Sequence, residues 1–296
     1  GSFDPAGQPV VISRRGCSAI VDGGGGFGQV GGRLAIELAM ELARDHGVAT
    51  TTLRNAAHVG RAGAYPLMAA REGLLAMAFV NAGRMGRQIA PFGGIDGKLS
   101  TNPIAFAAPR PGAEPIVVDM TTSIVAEGKV RMANNKEEQV PEGWLIDHEG
   151  NPTTDPSALL GDPPGAMLPL GGSVGYKGYG LGLVVELWGG LLSGEGTATN
   201  ERVFKSNGVS FTVHDPSFFV DGETYEREVT GLIDHVMSSR VAPGFERIML
   251  PGELEFRTAE RRRQEGIEVD DGTWGKICDS ARRVGLDPAT WAELTM

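Results

Sequence analysis

At 296 residues the chain has room for one large domain or two intertwined ones, with a sizeable core. A hydrophobic fraction of 41% beside 22% charged residues is ordinary for a globular chain, and a net charge of -10 argues against a nucleic-acid surface: "RRR" at 261–263 is the one basic block that stands out. Cys17 and Cys278 make no disulfide framework and fit a reducing cytoplasm. The most apolar run, "YGLGLVVELWGGLLSG", contains Glu186 and is too short and Gly-rich to span a bilayer. No signal peptide opens the chain.

In chain order, "CSAIVD" (17–22) reads as a strand and the glycine run "GGGGFGQVGG" as a turn. The helix that follows places Val30, Leu34, Leu38 and Leu42 on one face and ends at Gly47, a natural C-cap. "VATTTLRN" (48–55) is a β-branched strand, "RAGAYPLMAAREG" a short helix and "LLAMAFVN" (74–81) a buried strand. Two more strands, 103–110 and 115–120, precede a helix in "TSIVAEGKVRMANNKEE". Residues 142–175 are rich in Gly, Pro and Asp and read as a long loop. "YKGYGLGLVVELWGGLLSG" reads as a buried, small-residue helix, 208–214 as a strand, 223–239 as an amphipathic helix and "RIMLPGE" as a strand end. The tail is two polar helices, the second opened by Asp270 and Asp271. The pattern is α/β.

Gly23, Gly25 and Gly28 fit G-x-G-x-x-G, as do Gly26, Gly28 and Gly31. A dinucleotide loop also needs an acid about 20 residues further on, at the end of the second strand, for the ribose hydroxyls. Arg54 stands there instead, which leaves an NADP reading through a 2′-phosphate. In so glycine-rich a run the template is met almost inevitably, and a tight turn before a helix explains it as well.

Three other places suit an anion or a ribose. "VVDMTTS" couples a strand end to the hydroxyls of Thr121, Thr122 and Ser123 at an expected helix start. "LPLGGSVGYKGYG" sets Lys177 at a helix start, where its charge is unfavourable unless an anion joins it. Gly252-Glu253 offers a carboxylate for two hydroxyls. Each also has a plain structural explanation: a capped helix, a solvated lysine, an acid in a turn. Of the five histidines, His58 follows a buried strand between small residues and suits acid–base work near neutral pH, although a histidine bonded to a backbone carbonyl fits equally. No metal-ligand spacing and no G-x-S-x-G elbow is present.

Together these segments resemble the malate/L-lactate/L-sulfolactate dehydrogenases of type 2, from about Ile20 to Trp274. The matching stretches include "RNAAHVGRAGAYPLMAA", "LSTNPIAFAAPR", "VVDMTTSIVAEGKV", "LPLGGSVGYKGYGLGLVVELWGGLLSG" and "IMLPGELEFRTAERRRQEGIEVDDGTW". The resemblance implies a three-layer mixed sheet flanked by helices, a non-Rossmann NAD(P)-binding fold, and a homodimer. It implies subdomains at 1–60 with 246–296 (outer, substrate) and at 61–245 (NAD(P)-binding). The cofactor, NAD or NADP, is then expected at Asn102, Asp119, Met120, Thr121, Thr122, Ser123, Tyr176, Lys177, Gly252 and Glu253. His58, Asp119 and Lys177 are the catalytic candidates, with no metal. The family's N-terminal helical segment, with a Ser-His-Gly proton donor and a carboxylate-gripping arginine, is expected to be absent, since no Ser-His-Gly occurs. The implied reaction moves a hydride between nicotinamide and C2 of a 2-hydroxyacid or 2-oxoacid, with no membrane or nucleic-acid partner. The alternatives are a reductase of cyclic imino acids such as Δ1-piperideine-2-carboxylate and a catalytically inactive binding protein.

Overall fold

The computed structural model describes residues 3–82, 86–199, 206–289 and 291. Its strands are β1 (Val10–Arg15), β2 (Ser18–Asp22), β3 (Val48–Arg54), β4 (Leu75–Asn81), β5 (Ile104–Ala108) and β6 (Ile116–Met120), then the short β7 (Leu145–Ile146), β8 (Pro152–Thr153) and β9 (Ala166–Met167), and β10 (Gly208–His214). Seven form one sheet in the order β1-β2-β3-β10-β4-β5-β6, antiparallel except for the parallel pair β2–β3. That pair is joined by helix α1 (Gly28–His46), as a parallel crossover requires. Strands from either side of residue 60 share this single sheet.

The register explains the core. Val209 faces Leu53 on β3 and Val80 on β4, and the same alternation stacks Phe211 between Thr51 and Ala78. This face lies under α1 and α2 (Ala64–Arg71): Ile36, Leu42, Leu53, Val209 and Phe211 are fully buried, each worth roughly 1.5–3 kcal/mol. Thr51 Oγ1 donates to Ala35 O at 2.8 Å, so even the polar member of the face is satisfied by the covering helix. Gly47 caps α1 as expected, with φ +80° and its N–H on Ala43 O. Leu38 and Leu42 are buried and Leu34 packs against them, but Val30 is exposed.

Several expectations are corrected. Residues 10–15 form an edge strand, exposed on both faces and so without an alternation to read. Within 142–175 a three-stranded sheet, β8-β7-β9, encloses a second core of Leu145, Met167, Val130 and Leu159; its two-residue strands are too short to show a period. "RIMLPGE" is not a strand; it meets β6 through the bond from Val117 N to Pro251 O, 3.1 Å. The helix expected from 122 to 138 is α3 (Glu127–Asn135) only.

The helix expected to be buried at 176–194 is α4 (Tyr176–Val185), continued by a π-helical turn (Glu186–Leu191). Gly178, Gly182, Gly189 and Gly190 face inward, and Leu181, Leu183, Leu187, Trp188, Leu191 and Leu192 are exposed. A Cβ at Gly189 would stand 2.9 Å from Phe79 O and 3.0 Å from Asn81 N, so backbone rather than leucine lies against the strand ends.

The chain divides by its contacts into residues 1–252 and 253–296. After α5 (Gly222–Met237) in the first unit, the second unit holds α6 (Glu253–Glu265) and α7 (Asp271–Arg283), the latter capped by the Asp270 side chain on Thr273 N. No helix among the described residues is long and apolar enough to cross a membrane.

Candidate active site

The glycine turn is occupied by the protein itself. Gly23 N donates to Arg54 O (2.8 Å), Gly24 N to Asp22 Oδ1 (3.0 Å), Gly25 N to Asn55 O (2.8 Å) and Gly26 N to Gly23 O (3.0 Å). A phosphate loop must hold such donors free for its anion. Side chains at Gly24, Gly26 and Gly28 would collide with the carbonyls of Gln8, Gly7 and Ala57. Arg54 reaches Asp22 at 3.6 Å, so its charge already has a carboxylate partner. Partial burial of Asp22 raises its pKa, but Asn55, the Gly24 N–H and Arg54 outweigh this and hold it below the ordinary value. The run thus seats the start of α1 against the 55–58 segment.

That segment carries His58. It is held from behind by Asn55 N on Glu195 Oε2 (2.7 Å), Val59 N on Asn207 Oδ1 (3.0 Å) and Asn207 N on Ala56 O (3.0 Å). Tyr65 donates its hydroxyl to Val59 O, and burial pushes that phenol up to about 12. His58 itself is exposed, and its Nδ1 accepts from Gly60 N at 3.0 Å. The neutral ring therefore carries its proton on Nε2.

Three residues beyond His58, Arg61 Nε lies 3.1 Å from Asp119 Oδ2, and Gly63 N donates to the same oxygen at 3.0 Å. A Cβ at Gly63 would sit 2.7 Å from that oxygen, so the glycine makes the approach possible. Asp119, near the end of β6, thus binds the His58 loop through Arg61 and Gly63, with no bond to His58.

After Met120 the backbone is not helical: it bends at Thr122, Ile124 and Val125. Thr121 Oγ1 donates to Ser123 O (3.0 Å), Thr122 Oγ1 to Thr101 O (3.2 Å) and Ser123 Oγ to Val125 O (2.7 Å). The two local bonds, from Thr121 and Ser123, compete with helix formation, the bond to Thr101 holds the segment against a distant loop, and α3 starts only at residue 127. The three hydroxyls therefore precede the helix rather than cap it. Ile124 N bonds Leu168 O and Leu170 N bonds Thr122 O, both at 2.9 Å; Gly178 N bonds Leu170 O at 3.2 Å. Two of the three anion candidates, 121–123 and 176–178, are brought together through Leu170.

At that helix start Tyr176 packs edge-on to Phe92, ring centroids 5.9 Å apart. Lys177 is exposed, with no carboxylate partner among the described residues. Asn102 is fully buried at φ +38°, its Nδ2 on Glu186 Oε1 (2.8 Å) and Gly182 O (3.2 Å). Gly252 ends the first unit at φ +92°, and Glu253 opens α6 with Arg257 3.3 Å away.

Sequence reasoning missed Arg61, Glu186, Glu195 and Asn207. One signal was available: Glu186 is a lone acid in the most apolar run of the chain. The structure thus ties the His58 loop to the strand-end carboxylate of Asp119, next in the chain to a turn that joins the 121–123 hydroxyls to the start of α4. The family described as malate/L-lactate dehydrogenase matches residues 1–278, and the chain belongs to it. The L-lactate dehydrogenase of Cupriavidus necator is 39% identical, covering 93% of this chain and 79% of that protein. The malate dehydrogenase structure from Pyrococcus horikoshii OT3 superimposes with a TM-score of 0.83 at 36% identity, covering 97% of this chain and 79% of that one. The Δ1-piperideine-2-carboxylate reductase structure from Pseudomonas syringae pv. tomato gives 0.78 at 31% identity, covering 93% and 80%.

Proposed function

We propose that this enzyme exchanges a hydride between NAD or NADP and C2 of a small 2-hydroxy or 2-oxo carboxylate of the lactate or malate kind, in the cytoplasm and as a homodimer. The observation that carries the reading is the meeting of 121–123, 176–178 and Asn102 around Leu170 and Gly182, close in sequence to Asp119 and its Arg61 partner. The residues fit a nicotinamide cofactor. Among the described residues Asn102 Oδ1 is a buried acceptor with no partner, and Lys177 is a cation with no carboxylate partner. Gly172 and Gly180 leave open space where a Cβ would stand. Asn102, Asp119, Met120, Thr121, Thr122, Ser123, Tyr176 and Lys177 would hold the cofactor without a Rossmann glycine loop.

When bound, the nicotinamide supplies or accepts the hydride. The chain supplies position, charge and the proton. His58 as imidazolium, protonated at Nδ1 in place of the Gly60 bond, gives its Nε2 proton to the substrate oxygen in reduction; the neutral ring that remains takes the proton back in oxidation. Asp119 fixes Arg61 through Nε, leaving the terminal guanidinium N–H groups for a substrate carboxylate. The dimer reading is supported by the exposed apolar face of α4 and its π turn, Leu181 to Leu192.

The test is a panel of 2-oxoacids and cyclic imines against NADH and NADPH. Turnover of pyruvate or oxaloacetate above that of every imine supports the reading; reduction of imines alone would install the second one, favoured by the piperideine-carboxylate reductase likeness. Failure of the chain to bind either cofactor would reject both.

A further inference from the structure

Along β4 and β5, helix α2 covers one face of the sheet, where Ala76, Ala78, Ala105 and Ala107 are buried. On the other face Met77, Phe106 and Val118 stand side by side, paired in register across β4, β5 and β6. With Leu75, Ile116 and Phe219 they line an apolar cavity of about 500 Å³, a size that suits a small ligand. Phe106 and Phe219 remain 37% and 64% exposed, so the described residues leave this apolar surface open. A second cavity, of about 760 Å³, adjoins the first and shares Pro216, Val220 and Tyr225 with it. Its lining is polar: Arg71, Arg110, Glu114, Asp215 and Ser217. Most of these groups are already engaged. Arg71 Nη2 lies 3.1 Å from Glu114 Oε2, and Asp215 Oδ1 accepts from Ser217 N at 2.9 Å and Ser217 Oγ at 2.6 Å. Arg110 is the exception. It lies two residues past the end of β5, is half-buried, and its guanidinium has no hydrogen-bond or ion-pair partner among the described residues. A guanidinium has only donors, and one that has lost part of its water without gaining an acceptor favours an anion.

We propose that the two cavities form one binding site for an amphipathic monocarboxylate, with its apolar body on Met77, Phe106 and Val118 and its carboxylate on Arg110. The guanidinium fork matches a carboxylate, which can accept two parallel bonds from it. The acids of the same wall set the ligand's charge: Glu114 and Asp215 repel a second negative group, so a single carboxylate fits better than a phosphate dianion. Tyr225, which donates its hydroxyl to Pro109 O at 3.0 Å, belongs to the wall common to both cavities and marks where the apolar part of the ligand gives way to the charged part. None of these residues is among those proposed above to hold cofactor or substrate. The site lies behind the strand of the proposed active site: Val118 lines it, while the next residue, Asp119, binds Arg61 and Gly63.

The test is calorimetric titration of the chain with decanoate, with 4-phenylbutyrate, and with butyrate, which has the charge without the apolar body. Decanoate or phenylbutyrate should bind once per chain, and butyrate at least about tenfold more weakly. Arg110→Gln should weaken the binding by about tenfold or more, the scale of a charge-assisted hydrogen bond. Phe106→Ser should weaken it by a similar factor through lost apolar contact. Arg61→Gln, in the proposed active site, should leave it unchanged. Because the Arg110 side chain holds no partner, its variant should melt like the native protein and serves if the Phe106 variant does not fold. Binding of neither decanoate nor phenylbutyrate by the native protein overturns the proposal, as does unchanged affinity in Arg110→Gln. Loss of affinity in Arg61→Gln instead would place the carboxylate in the proposed active site and also overturns it. A fall in solution mass on Phe106→Ser, in a protein whose native form binds neither compound, would assign the apolar face to a second copy of the chain.

Discussion

A single methyl group placed at two positions of the glycine turn separates its structural use from a nucleotide-binding one. At Gly28 the methyl would overlap Ala57 O and stand 2.7 Å from His58 C and O. Ordinary contact begins at 3.4 Å, so the His58 backbone must retreat by about 0.7 Å or more, beyond the displacement at Ala57. Overpacking of this kind costs about 1–3 kcal/mol, and a shift of about 1 Å in a reacting group costs on the order of 10²-fold in rate. Gly28→Ala is therefore expected to lower both the melting temperature and kcat, with the cofactor dissociation constant within about twofold of the native value. At Gly25 the nearest atom to a new methyl is Asn55 Oδ1 at 4.0 Å, so there is space, and φ +68° brings only backbone strain of roughly 1–2 kcal/mol. A ligand lying on the turn would meet that methyl. Gly25→Ala should lose stability and keep cofactor affinity, read by fluorescence titration with NADH and NADPH beside thermal denaturation. A tenfold loss of cofactor affinity in Gly25→Ala, or native stability and turnover in Gly28→Ala, would refute the assignment of this turn to packing.

Other substitutions test the remaining parts of the site. Asp119→Asn keeps the shape but strips Arg61 of its counter-charge, and kcat/KM should fall by about 10²-fold, more than cofactor affinity does, in parallel steady-state and binding measurements. Lys177→Ala should weaken cofactor binding by about tenfold or more if the lysine holds a phosphate; a rise confined to the substrate KM would move it to the carboxylate. Asp22→Asn should cost about 1–2 kcal/mol near pH 7. Because the folded carboxyl lies below the unfolded value of 3.8, its contribution is complete above that value and lost as pH falls through the folded pKa. Denaturant melts of native and variant protein should accordingly converge in acid. Leu191→Asp, on the exposed apolar face, should convert a dimer mass in light scattering to that of a monomer.

What could be read from the sequence follows from the range of the interactions. Strands β2, β3, β4 and β10 and helix α1 announce themselves by alternation and by the Gly47 cap, because a buried face repeats along the element. The hydrophobicity of the helix at 176–194 does not signal burial of its leucines, because Gly178, Gly182, Gly189 and Gly190 are what pack inward. Residues 122–126 carry a helical pattern in the sequence but are not helix, since the bonds that hold them go to Thr101, Leu168 and Val125, two of these distant in sequence. His58, Asp119 and Lys177 were visible as chemistry in suggestive places. Arg61, Glu186, Glu195 and Asn207 gain their roles from partners 58, 84, 140 and 148 residues away, and spacing along the chain carries no trace of those pairs.

The segment 176–192 shows why the apolar run has its unusual composition. Glycines at 178, 182, 189 and 190 let backbone approach backbone: Gly178 against Leu170, Gly182 beside Thr122, Gly189 and Gly190 against the ends of β4 and β10 and the 196 carbonyl. A helix buried through its glycines contributes little apolar area to the core, so its leucines face away, where a second copy is proposed to cover them. The one charged residue that turns inward after Lys177 is Glu186, and it bonds Asn102 rather than a base. The inward stripe and the outward stripe are therefore separable by substitution. Gly182→Ala would place a methyl 3.3 Å from Thr122 Oγ1 and press on the proposed cofactor segment, whereas Leu191→Asp leaves that contact untouched. The first should weaken cofactor binding without changing the mass in solution, and the second should change the mass while the Gly182–Thr122 contact persists. Loss of dimer mass in Gly182→Ala with cofactor affinity intact would show that the two stripes do not divide these tasks.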